Sequence, residues 1–190
     1  MMISRLLFAA LATALLTGCL PQFDHPLPGD SPADPALLGE WHVENDEGVM
    51  LTRVSERDDG RLTLLMLHSA EGQAIEDGDR MVLAAATTTI GKQRYMSIEI
   101  IESSDEDVAP QGHFICLYAI AEPVLSVRCM ATDPVIEDVE AGLLAGTVKR
   151  DEYVDEVYIH ADGATVAAYL AKAKVERLFE EALTFDRAAP

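Results

Sequence analysis

The chain carries three cysteines and five histidines, and their placement decides what chemistry can be expected of it. Cys19 stands alone, between Gly18 and a proline-rich stretch, behind a run of small and apolar residues. Cys116 and Cys129 sit in two apolar runs, HFICLYAI and VLSVRCM, on either side of Ala121-Glu122-Pro123. One antiparallel register puts Ile120 opposite Leu125, Tyr118 opposite Val127 and Cys116 opposite Cys129. All six then share one face, because side chains alternate along a strand. Directly opposed residues lie close enough for a bridge, about 4.5–5.5 Å apart at Cα, so a Cys116–Cys129 disulfide is expected.

The histidines are scattered singly. His25 lies in the proline-rich stretch, and His160 lies near the end of the last strand-like run. His42, His68 and His113 lie in expected strands and could meet only through the fold. There is no Gly-x-Ser-x-Gly elbow, His-Glu-x-x-His, P-loop or dinucleotide fingerprint. No catalytic residue and no cofactor is therefore assigned, and the expectation leans away from an enzyme. Glu76-Asp77-Gly78-Asp79 and Ser103-Ser104-Asp105-Glu106-Asp107 offer the oxygen ligands that Ca²⁺ prefers. Neither has EF-hand spacing, so both are read as solvated loops and no metal site is expected.

The N-terminal residues explain Cys19. Arg5 opens a short basic region, and the apolar run LLFAALATALL follows from Leu6 to Leu16. That run is short for a membrane span, which needs about 20 apolar residues. It has the form of a secretory signal. Leu16-Thr17-Gly18-Cys19 resembles the lipobox of bacterial lipoprotein signals: an aliphatic residue, two small ones, then the cysteine that becomes the new N-terminus. The small residues let a peptidase reach the backbone, and the thiol accepts diacylglycerol. The resemblance implies a signal peptide at 1–18 and lipidation of Cys19. Leu20 after the cysteine, in place of aspartate, implies the outer membrane, on its periplasmic face. Several acyl chains would make a stable anchor, whereas one alone is marginal.

Residues 19–36 contain five prolines, Pro21, Pro26, Pro28, Pro32 and Pro35. Proline fixes φ and lacks a donor, so this reads as an extended tether. Fully extended it would reach about 55 Å, holding the remaining residues, 37–190, clear of the membrane. Those residues suffice for one domain with a sizeable core. The whole chain has 14 basic and 33 acidic residues, net −19. Such a surface repels phosphate backbones, so nucleic acid is not an expected partner.

From Leu38 onward the pattern is that of short strands broken by acidic and glycine-containing turns. The runs are 39–44, 49–56, 61–68, 80–89, 93–102, 112–121, 124–131, and one or two between 146 and 160. About eight strands joined mostly by hairpins predict a mainly β fold, an antiparallel barrel or sandwich. After Asp162, a suitable N-cap, the period becomes helical and predicts a C-terminal α-helix over 163–182.

Leu38-Gly39-Glu40-Trp41 holds the single tryptophan. It resembles the Gly-x-Trp motif that opens the first strand of lipocalins. In that family the glycine permits a tight turn into the strand and the tryptophan closes one barrel end. The family's Thr-Asp-Tyr type loop and its late arginine behind the tryptophan have no assignable position in this sequence. The resemblance implies a lipocalin-like β-barrel of about eight strands, with Gly39 and Trp41 as its barrel-end motif. Met50, Met66, Met81, Met96 and Met130 would line a cavity or fill a core. The expected function is binding of a small apolar ligand or lipid by a membrane-anchored envelope protein. The alternative is an envelope accessory or structural protein acting through contacts with a protein partner.

Overall fold

The computed structural model describes residues 20–29, 33–45, 48–70, 74–75, 78–105, 112–150, 152 and 155–188. The expected signal peptide at 1–18 and Cys19 lie outside these residues, as do Glu76, Asp77, Glu106 and Asp107 of the acidic runs.

Short β-rich runs from residue 39 to 129, broken by turns, build a meander in which each strand pairs with the next. Its strands are β2 (Gly39–Asn45), β3 (Gly48–Glu56), β4 (Leu62–Ala70), β5 (Asp79–Ile90), β6 (Gln93–Ser103), β7 (Phe114–Ala121) and β8 (Val124–Cys129). A last strand, β11 (Leu183–Arg187), inserts antiparallel between β8 and β2 and closes a barrel of eight strands. Trp41 pairs with Thr52, and Thr52 with Met66, so these side chains point into the barrel. Their neighbours Glu40, His42 and Arg53 point out. The inside of the wall is apolar; outside, β2 and β3 present polar residues, whereas Tyr95 and Ile115 of β6 and β7 belong to a second, outer core.

The β7–β8 hairpin has the expected register. Cys116 pairs with Cys129, Tyr118 with Val127 and Ile120 with Leu125. Met130 N donates to Ile115 O, which makes Cys116 and Cys129 the close, non-hydrogen-bonded pair. Their Cα atoms are 3.9 Å apart, and the disulfide is formed.

Between β8 and β11 the chain makes an excursion across the barrel's outer face. It comprises α1 (Thr132–Glu140), β9 (Gly146–Arg150), β10 (Asp155–Ile159), α2 (Gly163–Leu170) and α3 (Val175–Leu178). The two strands of the 146–160 region do not join the barrel. They form a three-stranded sheet with β1 (Gln22–Phe23), in the order β1-β10-β9. Asp162 caps α2 as expected, accepting from Thr165 N at 2.8 Å. The helix stops at Leu170, not 182, without a proline or glycine to break it. Packing ends it: Leu178 and Phe179 are needed against the barrel wall, where Phe179 bridges to Met130 and its ring meets Tyr95. The residues that follow are then free to close the barrel as β11.

The proline-rich stretch is not a free spacer in the structure. Leu20, Phe23 and Leu27 are each no more than 1 % exposed. β1 pairs parallel with β10, Phe23 N donates to His113 O, and Leu27 N donates to Ser97 Oγ. Thr88 Oγ1 donates to Pro28 O. Proline does favour an extended backbone here. Phe23 and Leu27 bury that backbone against the outer core, and Leu20 joins the core inside the barrel.

Candidate functional site: the barrel interior

One barrel end is shut by residues from both ends of the sequence. Asp34 caps a 3-10 turn, Pro35–Leu37, that lays Leu37 across the opening. Trp41 is fully buried below it and donates its Nε1–H to Leu37 O at 2.7 Å. The Arg187 guanidinium sits 4.1 Å from the Trp41 ring centroid, a cation–π stack. Arg187 also donates to Leu38 O, Ala36 O and the Glu122 carboxylate. Gly39 has φ +115, and a Cβ there would stand 3.1 Å from Arg187 Nη1. The glycine of the motif is thus favoured by its backbone angle, and the arginine tip beside it leaves little room for a Cβ.

A second polar group seals the same end. Asp34 accepts from Arg94 Nη1 at 2.9 Å and from the Tyr118 hydroxyl at 3.0 Å. Burial and the Asp34 carboxylate push the Tyr118 hydroxyl well above its usual range, so it stays protonated and donating. Every cation at this end therefore has an anionic or carbonyl partner.

Inside lies a cavity of about 60 Å³, lined by side chains such as Leu64, Met66, Met96, Ile98, Leu125 and Phe185. Cys129 contributes to the lining, so the disulfide helps to shape it. Met50 and Met81 pack in the same core. Met130 does not; it belongs to the outer core under the helices. Thr52 is the single polar side chain in the lining. Thr52 is 7 % exposed, and its Oγ1 has no hydrogen-bond partner.

The histidines are not brought together. His42 faces outward from β2, whereas His68 pairs with Met50 on the inward face. His113 bridges to Phe23, and burial lowers its pKa, so its imidazole is neutral. His160 Nδ1 lies 2.8 Å from Asp24 Oδ2, and its Nε2 lies 2.9 Å from Thr147 Oγ1. The order carboxylate, imidazole, hydroxyl is that of a hydrolytic triad. Here His160 and Asp24 are about half exposed, and the contacts clasp β1 to β9. Among the described residues, no group of three or more His, Cys, Asp or Glu side chains is placed to hold a metal ion.

Gly39 and Trp41 were the parts of this end visible in the sequence. Arg187, Asp34 and Thr52 were not. A signal for Arg187 exists: Leu183-Thr-Phe-Asp-Arg alternates with period two, but it follows a helical pattern that runs into it. No protein-family profile, no curated protein and no solved structure matches this chain.

Proposed function

We propose that this chain is a lipid-anchored protein of a bacterial envelope, held by acyl chains on Cys19, whose barrel receives a small apolar ligand. The reading places it in the outer membrane, facing the periplasm. The observation that carries the ligand half is the cavity lining, apolar at every side chain but Thr52. The stack of Arg187 on Trp41 supports a lipocalin-like barrel, because it supplies the late arginine that the Gly-x-Trp motif calls for. The anchor half rests on the lipobox residues Leu16 to Cys19 and on Leu20. With Leu20 already buried in the barrel core, the domain would ride close against the membrane.

Two measurements test the halves separately. Metabolic labelling with palmitate is expected to mark the wild-type chain and to be abolished in Cys19→Ala; labelling that persists in that variant removes the anchor. Native mass spectrometry of the gently extracted chain is expected to show an added small mass that organic solvent strips. A bare mass in every preparation, with no uptake of a hydrophobic fluorescent probe, removes the ligand.

The cavity's size favours a second reading. Drug-sized ligand pockets run to roughly 300–1,000 Å³, and this one is far smaller. A barrel filled by its own side chains would serve as a rigid scaffold for protein contacts. Leu143, 61 % exposed beside a groove formed with Ala168, Tyr169 and Lys172, is then a contact point. Crosslinking in intact envelopes would capture a partner at that groove on this reading.

A further inference from the structure

We infer that the groove between α1 and the α2–α3 turn docks a peptide segment of a partner protein, one in which an acidic residue flanks a bulky apolar residue. This rests on the scaffold reading above and names the chemistry of the partner.

The apolar half of the site is Leu143. α1 ends in a Schellman motif: Gly142 has φ +72 and donates to Val139 O, and Leu143 N donates to Asp138 O at 2.8 Å. In that motif the residue after the glycine commonly packs on an apolar side chain one turn back. The positions it would pack on hold Glu137 and Asp138 instead. Leu143 is therefore fixed through its backbone and left 61 % exposed. It stands at a groove of about 460 Å³, whose apolar wall Ala168 and Ala173 continue.

The groove keeps its shape without an occupant. Asp138 is buried and accepts from the Tyr169 hydroxyl and the Arg177 guanidinium, so one carboxylate ties α1 to α2 and α3. Burial and that carboxylate push the Tyr169 hydroxyl well above its usual range, so it stays protonated and donating. Walls fixed in advance lose little freedom on binding.

The charged half is Lys172, which lines the groove, with Lys174 on the same turn. Among the described residues neither lysine has an ion pair, whereas Arg53, Arg80 and Arg150 are each bonded to a carboxylate. Glu137 reaches Arg177 at 3.4 Å and leaves the lysines free. The lining thus sets two cations, Lys172 and Arg177, against the one carboxylate of Asp138, in a chain of net charge −19. An acidic group is the complement of that local excess.

The shape selects a protein segment. Leu143, Ala168 and Lys172 are all exposed, so the groove is open and would cover only part of a small molecule. A protein segment brings its own surface to cover Leu143. A bilayer is flat where this site is concave, and the net charge repels anionic headgroups.

The test places a photoreactive benzophenone side chain at position 143, and separately at 168, of the full chain and irradiates intact envelopes. The expected product is a crosslinked partner protein whose captured peptide, read by mass spectrometry, carries aspartate or glutamate flanking an apolar residue. Lys172→Glu is expected to lower the yield about fivefold, and adding Lys174→Glu to lower it further. Lys92→Glu makes the same charge change at an exposed lysine of the β5–β6 turn and should leave the yield unchanged. These lysines are exposed and unpaired, so the variants should keep the circular dichroism spectrum of wild type. A partner captured through a segment without an acidic residue, or a yield that Lys172→Glu does not move, overturns the inference and leaves the scaffold reading standing. A crosslink to a second copy of this chain, or to lipid, overturns it as well. No crosslink from either position removes the scaffold reading together with the inference.

Discussion

Replacing Trp41 with alanine is expected to destabilise the domain by about 3–5 kcal/mol, the range for removing a buried aromatic side chain. Three contacts go at once. The ring is wholly buried and forms part of the cavity wall, so its loss enlarges an existing void. Leu37 O loses its 2.7 Å donor in a buried setting. Arg187 loses the surface it stacks on, 4.1 Å away. Domains are stable by about 5–15 kcal/mol, so the variant forfeits a large share of the margin. The melting temperature should fall by about 10 °C. Trp41→Phe separates the contributions. It keeps a ring under Arg187 but removes the indole donor, and should cost about 1–2 kcal/mol. Urea unfolding followed by circular dichroism measures both, since the only tryptophan is the residue changed. A loss below about 1 kcal/mol for Trp41→Ala would mean that the barrel end is held by something else.

The strands and the hairpin disulfide were legible because their information is local. Alternation sets which face each residue takes, and in β7–β8 one register satisfies both the apolar face and the two cysteines. The closing strand was not legible. Its alternation over Leu183–Arg187 is short, and it follows a helical pattern with no breaker residue. What stops the helix is Phe179 meeting Met130, a contact between residues far apart in sequence. The proline-rich stretch misled for a related reason. Prolines predict extended backbone, and extended backbone is equally able to hang free or to pair as β1 against β10. Partners such as Ser97 for Leu27 lie 70 residues away and leave no local trace. The candidate site divides along the same line. Gly39 and Trp41 form a motif three residues long, whereas Arg187 reaches them only after the barrel closes. Thr52 reads as an ordinary strand residue, and only the closed wall around it shows that its hydroxyl has no partner.

The disulfide supplies the other large effect. Changing both Cys116 and Cys129 to alanine is expected to cost about 3 kcal/mol, because the bridge closes a short loop in the unfolded chain. The serine pair should be worse by about 1–2 kcal/mol, although serine is closer to cysteine in size. Cys116 is fully buried and Cys129 is 4 % exposed, both facing an interior whose lining has one polar side chain. Two hydroxyls there can satisfy each other only in part. The order wild type, alanine pair, serine pair is therefore a test of how apolar the interior is, as well as of the bridge. Equal urea midpoints for oxidised wild type and the alanine pair would remove the bridge's contribution. Two titratable thiols on unfolding the wild-type chain from residue 20 without reductant would remove the bridge itself. The measurement also bears on location. Disulfides form and persist in oxidising compartments, so chain made in a reducing cytosol should lack the bridge and the stability that it supplies. Chain made under oxidising conditions should exceed it by the full difference.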